Sequence, residues 1–370
     1  MSAPPIRWSM PAAADPELAY ELAKTTLDIY SKAVEQLLQI IARRLAHGID
    51  QPGWPEQKLL EQVALRNQVQ AVIDTLDANA PDVIAQAIEK AHGLGSTQAA
   101  TELAADPTIT TVFGTTNTRA VDALVRETVQ AVTGTHRGIL RTTLDMYRSV
   151  IAQTSAPGVL TGTVTRRQAA QQALDRFATQ GITGFRDSRG RNWQLDSYVE
   201  MATRTSVGRA QVAGTLDRFE ANGRDLVIVS DAPQECKLCR VWEGKILTTN
   251  ASRVGERLDD GRRVVATVDQ ARNAGLLHAN CRHRLAAYIV GLTRPMTHTA
   301  DPEGDQLRQE QRRLERGVRS WKRREAAALD EASARQARAK VREWQGKLRE
   351  HVDGNDLKRL RAREQVGRAH

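Results

Sequence analysis

The three cysteines of this 370-residue chain all lie between positions 236 and 281, close to two histidines. Cys236 and Cys239 are separated by two residues, and His278 and Cys281 repeat that gap. Structural Zn²⁺ is held tetrahedrally by four Cys or His ligands, which commonly come in such pairs. The spacing therefore predicts a structural zinc site formed by Cys236, Cys239, His278 and Cys281, with His283 as the alternative fourth ligand or as a supporting group.

Three other interpretations of this cluster remain open. The cysteines could be buried thiols beside unrelated histidines, or Cys236-x-x-Cys239 could be a redox pair, although the sequence context of such a pair is missing. A catalytic zinc would need only three protein ligands plus an acid or base such as Glu243. A site with four protein ligands has no open position for water, so the predicted role is structural and no catalytic residue is assigned.

Other chemistry has little support in the sequence. The chain contains neither a glycine-rich phosphate loop nor a Gly-x-Ser-x-Gly nucleophile motif. Arg204 lies within a long helical pattern and is expected to pair with Glu200, one turn earlier. A phosphate-binding arginine, as in a transferase, is the alternative interpretation of Arg204.

The segment 156–300 is predicted to position the cysteines and histidines in a small α+β module. A helical pattern runs from Leu195 to Phe219, and a short hairpin is expected between Gly184 and Trp193. Short apolar runs rich in β-branched residues follow and are typical of buried strands. These runs are 225–230, 245–247, 263–266 and 285–290.

The first 155 residues are predicted to form a helical N-terminal domain that docks on partner proteins. Apolar residues recur at helical spacing, and Pro16, Pro55 and Pro81 each open such a pattern. Further helices are expected over 118–132 and 135–153. The run Ser155-Ala156-Pro157-Gly158 marks the predicted domain boundary.

The last 70 residues, 301–370, are predicted to form a basic helical hairpin that breaks near Leu329-Asp330. They contain 19 basic and 13 acidic residues and so hold most of the net charge of +9. Basic side chains along helices could contact DNA phosphates in a salt-sensitive manner. Pairing with the acidic residues of the same helices is the alternative.

Composition excludes several classes of protein. No stretch reaches the 18 to 20 consecutive apolar residues of a membrane span, and the N-terminus lacks the apolar segment of a signal peptide. Three cysteines cannot form a disulfide framework. We therefore expect a soluble protein made in a reducing cytoplasm, without membrane partners.

Several separate motifs over about residues 160 to 365 resemble the phage minor capsid protein 2 family, which is related to the Mu F-like head morphogenesis proteins. The similar runs include Leu226-Val227-Ile228-Val229-Ser230, Cys236-x-x-Cys239, Trp242-Glu243-Gly244-Lys245, Leu277-His278-x-Asn280-Cys281-Arg282-His283 and Leu314-Glu315-Arg316-x-Val318-Arg319-x-Trp321. The resemblance implies a low-copy structural protein inside the head of a tailed phage, often associated with the portal. It implies no established enzymatic activity.

The sequence as a whole thus predicts a mainly α-helical virion protein, made in the host cytoplasm. A zinc ion is predicted to stabilise its small α+β module. Along the chain this module lies between a helical N-terminal domain (1–155) and a basic helical C-terminal hairpin (301–370). The predicted partners are the portal and other phage head proteins, with possible non-specific contact to packaged DNA. The alternative function is a zinc-dependent protein that binds or processes the packaged or ejected genome.

Overall fold

The chain is mainly helical, with one small four-stranded sheet, as the sequence predicts. A computed structural model describes residues 16–104, 118–154, 159, 163–180, 185–186, 192–232, 236–278, 281, 283–293 and 301–366. The predicted domain boundary at 155–158 and the turn of the short hairpin, 187–191, lie outside the described residues. None of the described helices is long and apolar enough to cross a membrane.

The helices and strands follow one another in the order that the sequence pattern indicates. The helices are α1 (Pro16–Ala46), α2 (Trp54–Leu60), α3 (Gln62–Ala104), α4 (Thr118–Thr133), α5 (His136–Gln153), α6 (Arg166–Gln180), α7 (Leu195–Ala221), α8 (Lys237–Arg240), α9 (Val268–Asn273), α10 (Pro302–Ala326) and α11 (Glu331–Gly354). The strands are β1 (Phe185–Arg186), β2 (Asn192–Trp193), β3 (Leu226–Val229), β4 (Ile246–Thr248), β5 (Val264–Thr267) and β6 (Leu285–Ala287).

One helix boundary predicted from the sequence is wrong. Pro81 does not open a new helix but lies inside α3, which runs for 43 residues. A proline inside a helix removes one backbone hydrogen bond and costs about 3 kcal/mol. Burial continues on both sides of Pro81, at Leu76, Ala80 and Ile84. This continuous buried face offsets the cost and keeps the helix intact.

The chain divides into two compact units, each built from three separate segments. Unit 1 contains Met1–Lys24, Ile84–Thr128 and Met201–Gln306, and unit 2 contains Thr25–Val83, Val129–Glu200 and Leu307–His370. The domain ranges 1–155, 156–300 and 301–370 stay predictions.

Unit 1 contains the four-stranded sheet and both pairs of predicted metal ligands. The strand order is β5-β4-β3-β6, with β3 antiparallel to β4 and β6, and β4 parallel to β5. β3 is fully buried, which explains its continuous apolar sequence Leu-Val-Ile-Val. One face of the sheet packs with Leu103 of α3 and Phe219 of α7 in a single core that includes Cys239.

Two glycines let α3 and α7 cross at very close range within unit 1. A Cβ atom on Gly95 would lie 1.9 Å from the carbonyl oxygen of Gln211, and one on Gly214 would lie 2.0 Å from that of His92. The crossing is also held by polar contacts, since His92 Nε2 lies 2.8 Å from Asp217 Oδ2. Only glycine fits at either position.

Unit 2 contains most of α10 and α11, which form the predicted helical hairpin. The break lies where the sequence indicates, because Asp330 caps α11 by accepting a hydrogen bond from Ser333 N at 2.8 Å. The two helices are in tight contact, since a Cβ atom on Gly317 would lie 2.1 Å from the Trp344 ring. Arg323 of α10 is buried and pairs with Asp196 at 2.9 Å.

The close crossing of α3 and α7 leads to a matched pair of stability predictions. Gly214→Ala should lower the free energy of unfolding of unit 1 by about 3 kcal/mol, because the added methyl group meets backbone and the helices must separate. Gly208→Ala, on the same helix with nothing within 4 Å of its Cβ position, should raise stability by up to about 1 kcal/mol. Urea unfolding monitored by circular dichroism measures both changes. Equal changes in the free energy of unfolding for the two variants would contradict the close crossing of α3 and α7.

Candidate metal centre

The first pair of predicted ligands lies on the connection between β3 and β4. Cys236 is the N-cap of the short helix α8, and Cys239 N donates to the Cys236 carbonyl at 3.2 Å, which closes a tight turn. Sheet hydrogen bonds fix the far end of the connection, because Gly244 N donates to Val229 O and Val229 N donates to Lys245 O. Both thiols are therefore held at one end of the sheet.

The second pair lies on the connection between α9 and β6 and repeats the same local geometry. Cys281 N donates to the His278 carbonyl at 2.9 Å, as Cys239 N does to Cys236. Gly275 (φ 106°) and Leu277 (φ 58°) both have left-handed backbone conformations just before this turn. For leucine this conformation costs about 1 to 2 kcal/mol, so the surrounding packing holds the turn in a strained shape next to the candidate ligands.

The two turns bring five possible ligand atoms together in two overlapping groups. Cys236, Cys239 and His278 form one group, and Cys239, Cys281 and His283 form the other, with the ligand atoms of each group within 4.8 Å of one another. Cys236 Sγ lies 2.8 Å from His278 Nε2, and Cys239 Sγ lies 3.4 Å from Cys281 Sγ. Cys239 belongs to both groups and is buried in the core of unit 1.

His283 is oriented by a buried carboxylate. Its Nε2 donates to Glu243 Oε1 at 2.7 Å, and the two side chains are only 2% and 1% exposed. Ala232 N donates to the same oxygen at 3.2 Å. With Nε2 committed to Glu243, Nδ1 is left to face Cys281 Sγ at 3.4 Å. Zinc-binding histidines commonly use this carboxylate–histidine arrangement.

The thiols and imidazoles strongly perturb one another's protonation. The hydrogen bond with Cys239 lowers the pKa of Cys281 to about 4, and His283 acts in the same direction against the effect of burial. The same bond, together with burial, raises the pKa of Cys239 far above its usual range. Burial alone would lower the pKa of His283, but its contacts with Cys281 and Glu243 raise it. The cluster therefore concentrates negative charge on sulfur, where a cation would be stabilised.

The donor set and its spacing fit a tetrahedral zinc ion. Zn–S bonds of about 2.3 Å in a tetrahedron place two sulfurs roughly 3.8 Å apart, and one sulfur and one nitrogen slightly closer. The Cys239–Cys281 and Cys281–His283 separations, both 3.4 Å, are close to these values. Thiolate and imidazole donors are also those that Zn²⁺ prefers over Mg²⁺ or Ca²⁺. These Cys and His groups could therefore bind a metal ion.

The structure brings together all five residues that the sequence singles out for the metal site. Five donors compete for four positions, so the ligand set of Cys236, Cys239, His278 and Cys281, with His283 as the alternative, stays a prediction. Glu243, considered above as a catalytic acid or base, contacts His283 and Ala232 in a buried position instead. Its spacing from His283, 40 residues away along the chain, gave no sign of this contact.

Comparison with known proteins gives a family match along nearly the whole chain. The sequence model of the family described as "Phage minor capsid protein 2" matches residues 15–353. The chain is also similar to a protein of Lactococcus phage LL-H described as "Structural protein", with 27% identity over 222 residues. That similarity covers 58% of this chain and 59% of the relative, so the chain spans about three-fifths of the relative's length. No solved structure gives a significant match.

Proposed function

The chain belongs to the phage minor capsid protein 2 family, and from this premise we propose that it is a structural minor capsid protein of a tailed phage. In this proposal it is present in low copy number inside the head, is associated with the portal and has no enzymatic activity. The family match over 339 residues, from 15 to 353, carries the proposal. The description of the Lactococcus phage relative as a structural protein supports it.

An exposed apolar patch on unit 2 supports a docking role for the N-terminal helices. Leu60 at the end of α2 is 83% exposed and Val63 at the start of α3 is 70% exposed, with the half-exposed Leu59 beside them in the chain. Neighbouring apolar side chains of this size are costly to leave in water. We propose that the Leu59–Leu60–Val63 patch contacts the portal.

Two experiments test whether the chain lies in the particle and whether the patch contacts the portal. Quantitative mass spectrometry of purified particles should find the chain at far fewer copies than the major capsid protein, and cross-linking should connect it to the portal. Leu60→Glu with Val63→Glu should remove the portal cross-links without unfolding the chain, because both side chains are exposed. Leu238→Glu, at an exposed leucine of unit 1, is the control. A chain absent from particles would contradict the proposal.

We further propose that the Cys/His cluster holds one structural Zn²⁺ per chain. A bound zinc would neutralise the thiolates and join the β3–β4 connection to the α9–β6 connection. Because ligand binding and folding are coupled in small metal sites, this link would stabilise the loops between 232 and 285. Four protein ligands would leave no position for water, which is consistent with a structural role.

Metal analysis of substituted chains tests the zinc site. The purified chain should contain one zinc, and Cys239→Ser should lose it, because Cys239 belongs to both ligand groups. Limited proteolysis should then open residues 226–290 while the N-terminal helices stay resistant. If His283 is a ligand, Glu243→Gln should weaken zinc binding by about 10- to 100-fold, because Glu243 orients His283. A wild-type chain without metal would refute the zinc proposal but leave the capsid role standing.

Separate histidine substitutions decide the fourth ligand. If His283 is the ligand, His283→Ala should release zinc and His278→Ala should retain it. The reverse result would assign His278, as the two-residue gap to Cys281 predicts. Loss of zinc in both variants would indicate that both histidines are ligands and that one cysteine is not.

A row of arginines on α11 favours a second candidate function, contact with packaged DNA. Arg335, Arg342 and Arg349 are all exposed and recur every seven residues. They therefore lie on one face of the helix, roughly 10 Å apart along its axis. Some neighbouring basic residues are ion-paired instead, as Lys340 and Lys347 are with Glu343. These two lysines hold the pKa of Glu343 at about 2, so on this helix Glu343 stays ionised and compensates their charge.

DNA binding by this row should depend on salt. Changing Arg335, Arg342 and Arg349 to Gln should weaken binding to duplex DNA and reduce the log–log salt slope by about 2 to 3, because up to three phosphate contacts are lost. The matched control changes Arg313, Lys340 and Lys347 to Gln, which removes the same charge from ion-paired positions. Fluorescence anisotropy at several salt concentrations measures both. Equal losses in the two variants would exclude a specific role for the row.

A further inference from the structure

A small cavity in unit 1 lies beside the candidate metal centre and is lined by basic side chains. Its volume is about 70 Å³, enough for several water molecules or one tetrahedral oxyanion. Its walls come from α7, from α9 and from the connection between α9 and β6. No described lining residue is Asp or Glu, and four arginines line the cavity, namely Arg204, Arg209, Arg272 and Arg284. The candidate ligands His278, Cys281 and His283 also line it, and Cys281 brings the negative charge of its thiolate.

The carboxylates near Arg209, Arg272 and Arg284 compensate the charge of these three arginines only weakly. Glu127 lies 3.6 Å from Arg209, and Asp269 lies 3.6 Å from Arg272, but the two carboxylates are 68% and 87% exposed. Exposed ion pairs of this kind are screened by water and contribute little. Burial raises the pKa of Glu102, which faces Arg284, to about 7, so this carboxyl is only partly ionised near neutral pH.

The arginines also repel one another across the cavity. Burial is the main cause that lowers the pKa of Arg272, and the positive charge of Arg209 lowers it further, against the opposing effect of Asp269. Two charged guanidinium groups that line one cavity are stabilised by an anion placed between them. A zinc ion bound to Cys281 would neutralise the thiolate that also lines the cavity, so with the metal in place the arginines give the cavity the charge distribution of an anion site.

Neutral polar groups complete the lining. Gln98 of α3 and Gln211, Thr205 and Thr215 of α7 supply amide and hydroxyl groups at the same cavity. Gly208 opens the wall on α7, because a Cβ atom built there meets nothing within 4 Å. A tetrahedral oxyanion could thus reach both charged and neutral donors through an unobstructed space.

We propose that this cavity binds a phosphate-type oxyanion, either inorganic phosphate or the terminal phosphate of a nucleotide or polynucleotide end. Planar guanidinium groups match the oxygens of phosphate in pairs, which favours this anion class over a halide. The cavity is large enough for one phosphate group. This site lies in unit 1, whereas the arginine row of α11 lies in unit 2.

Isothermal titration of the metal-loaded full chain with inorganic phosphate tests the site directly. One saturable binding event per chain is expected. Arg209→Gln and Arg272→Gln should each weaken it by about tenfold or more, since each removes a charge-assisted hydrogen bond. Arg257→Gln, at an exposed arginine outside the cavity, should leave the affinity unchanged.

A steric variant separates cavity binding from general electrostatics. Gly208→Leu retains every charge, places its side chain in the open space of the cavity and improves the helix propensity of α7. Phosphate binding should fall by at least about tenfold while circular dichroism stays at the wild-type value. Full binding in Gly208→Leu would overturn the proposal, as would wild-type protein that binds no phosphate.

Two further comparisons identify the source of the phosphate and the role of the metal. A 5′-phosphorylated oligonucleotide that binds more tightly than its unphosphorylated form and competes with phosphate indicates a polynucleotide end. Equal binding of the two oligonucleotides, with phosphate still bound in the cavity, indicates the free anion. Phosphate binding that survives Arg209→Gln and Arg272→Gln but is lost on zinc chelation would assign the anion to the metal and overturn the proposal.

Discussion

The gathering of three thiols and two imidazoles at one end of a small sheet, with Cys239 and His283 buried, is the constraint on which unit 1 depends. Polar groups of this kind are costly to bury unless each finds a partner. Here Cys281 is held as a thiolate between Cys239 and His283, and His283 is held by the buried carboxylate of Glu243. The strained backbone at Leu277 persists because this set of contacts determines the position of the turn. A metal ion would satisfy the whole set at once, which explains why so much polar chemistry lies next to an apolar core.

The sequence was informative where local patterns decide the structure. The two-residue gaps at Cys236 and His278 correspond to tight turns closed by backbone hydrogen bonds, and the apolar runs around Val227 and Val264 correspond to strands. The prediction that Pro81 opens a new helix was wrong, because the burial of Leu76 and Ile84 outweighs the local tendency of proline to break a helix. Propensity is a weak guide wherever tertiary packing opposes it.

Contacts between distant segments could not be predicted from one sequence. Gly95 and Gly214 are 119 positions apart, and nothing in the sequence pairs them, yet each accommodates the backbone of the other's helix. Glu243 and His283 belong to different connections, and only the antiparallel pairing of β3 with β4 and β6 brings those connections to one end of the sheet. Likewise Arg209 and Arg272 approach each other only because α7 and α9 line the same cavity. Spacing thus identified the ligands, while their supporting groups required the fold.

The metal centre and the basic cavity share the connection between α9 and β6, and this links their occupancy. His278, Cys281 and His283 are candidate ligands that also line the cavity, and Arg284 directly follows His283. An ion that fixes this connection would fix Arg284 and the cavity wall with it. By thermodynamic reciprocity, an anion that prefers the same arrangement would strengthen metal binding by the same factor. A structural zinc at this place would therefore do more than stabilise the fold, because it would also hold one wall of an anion site in a fixed geometry.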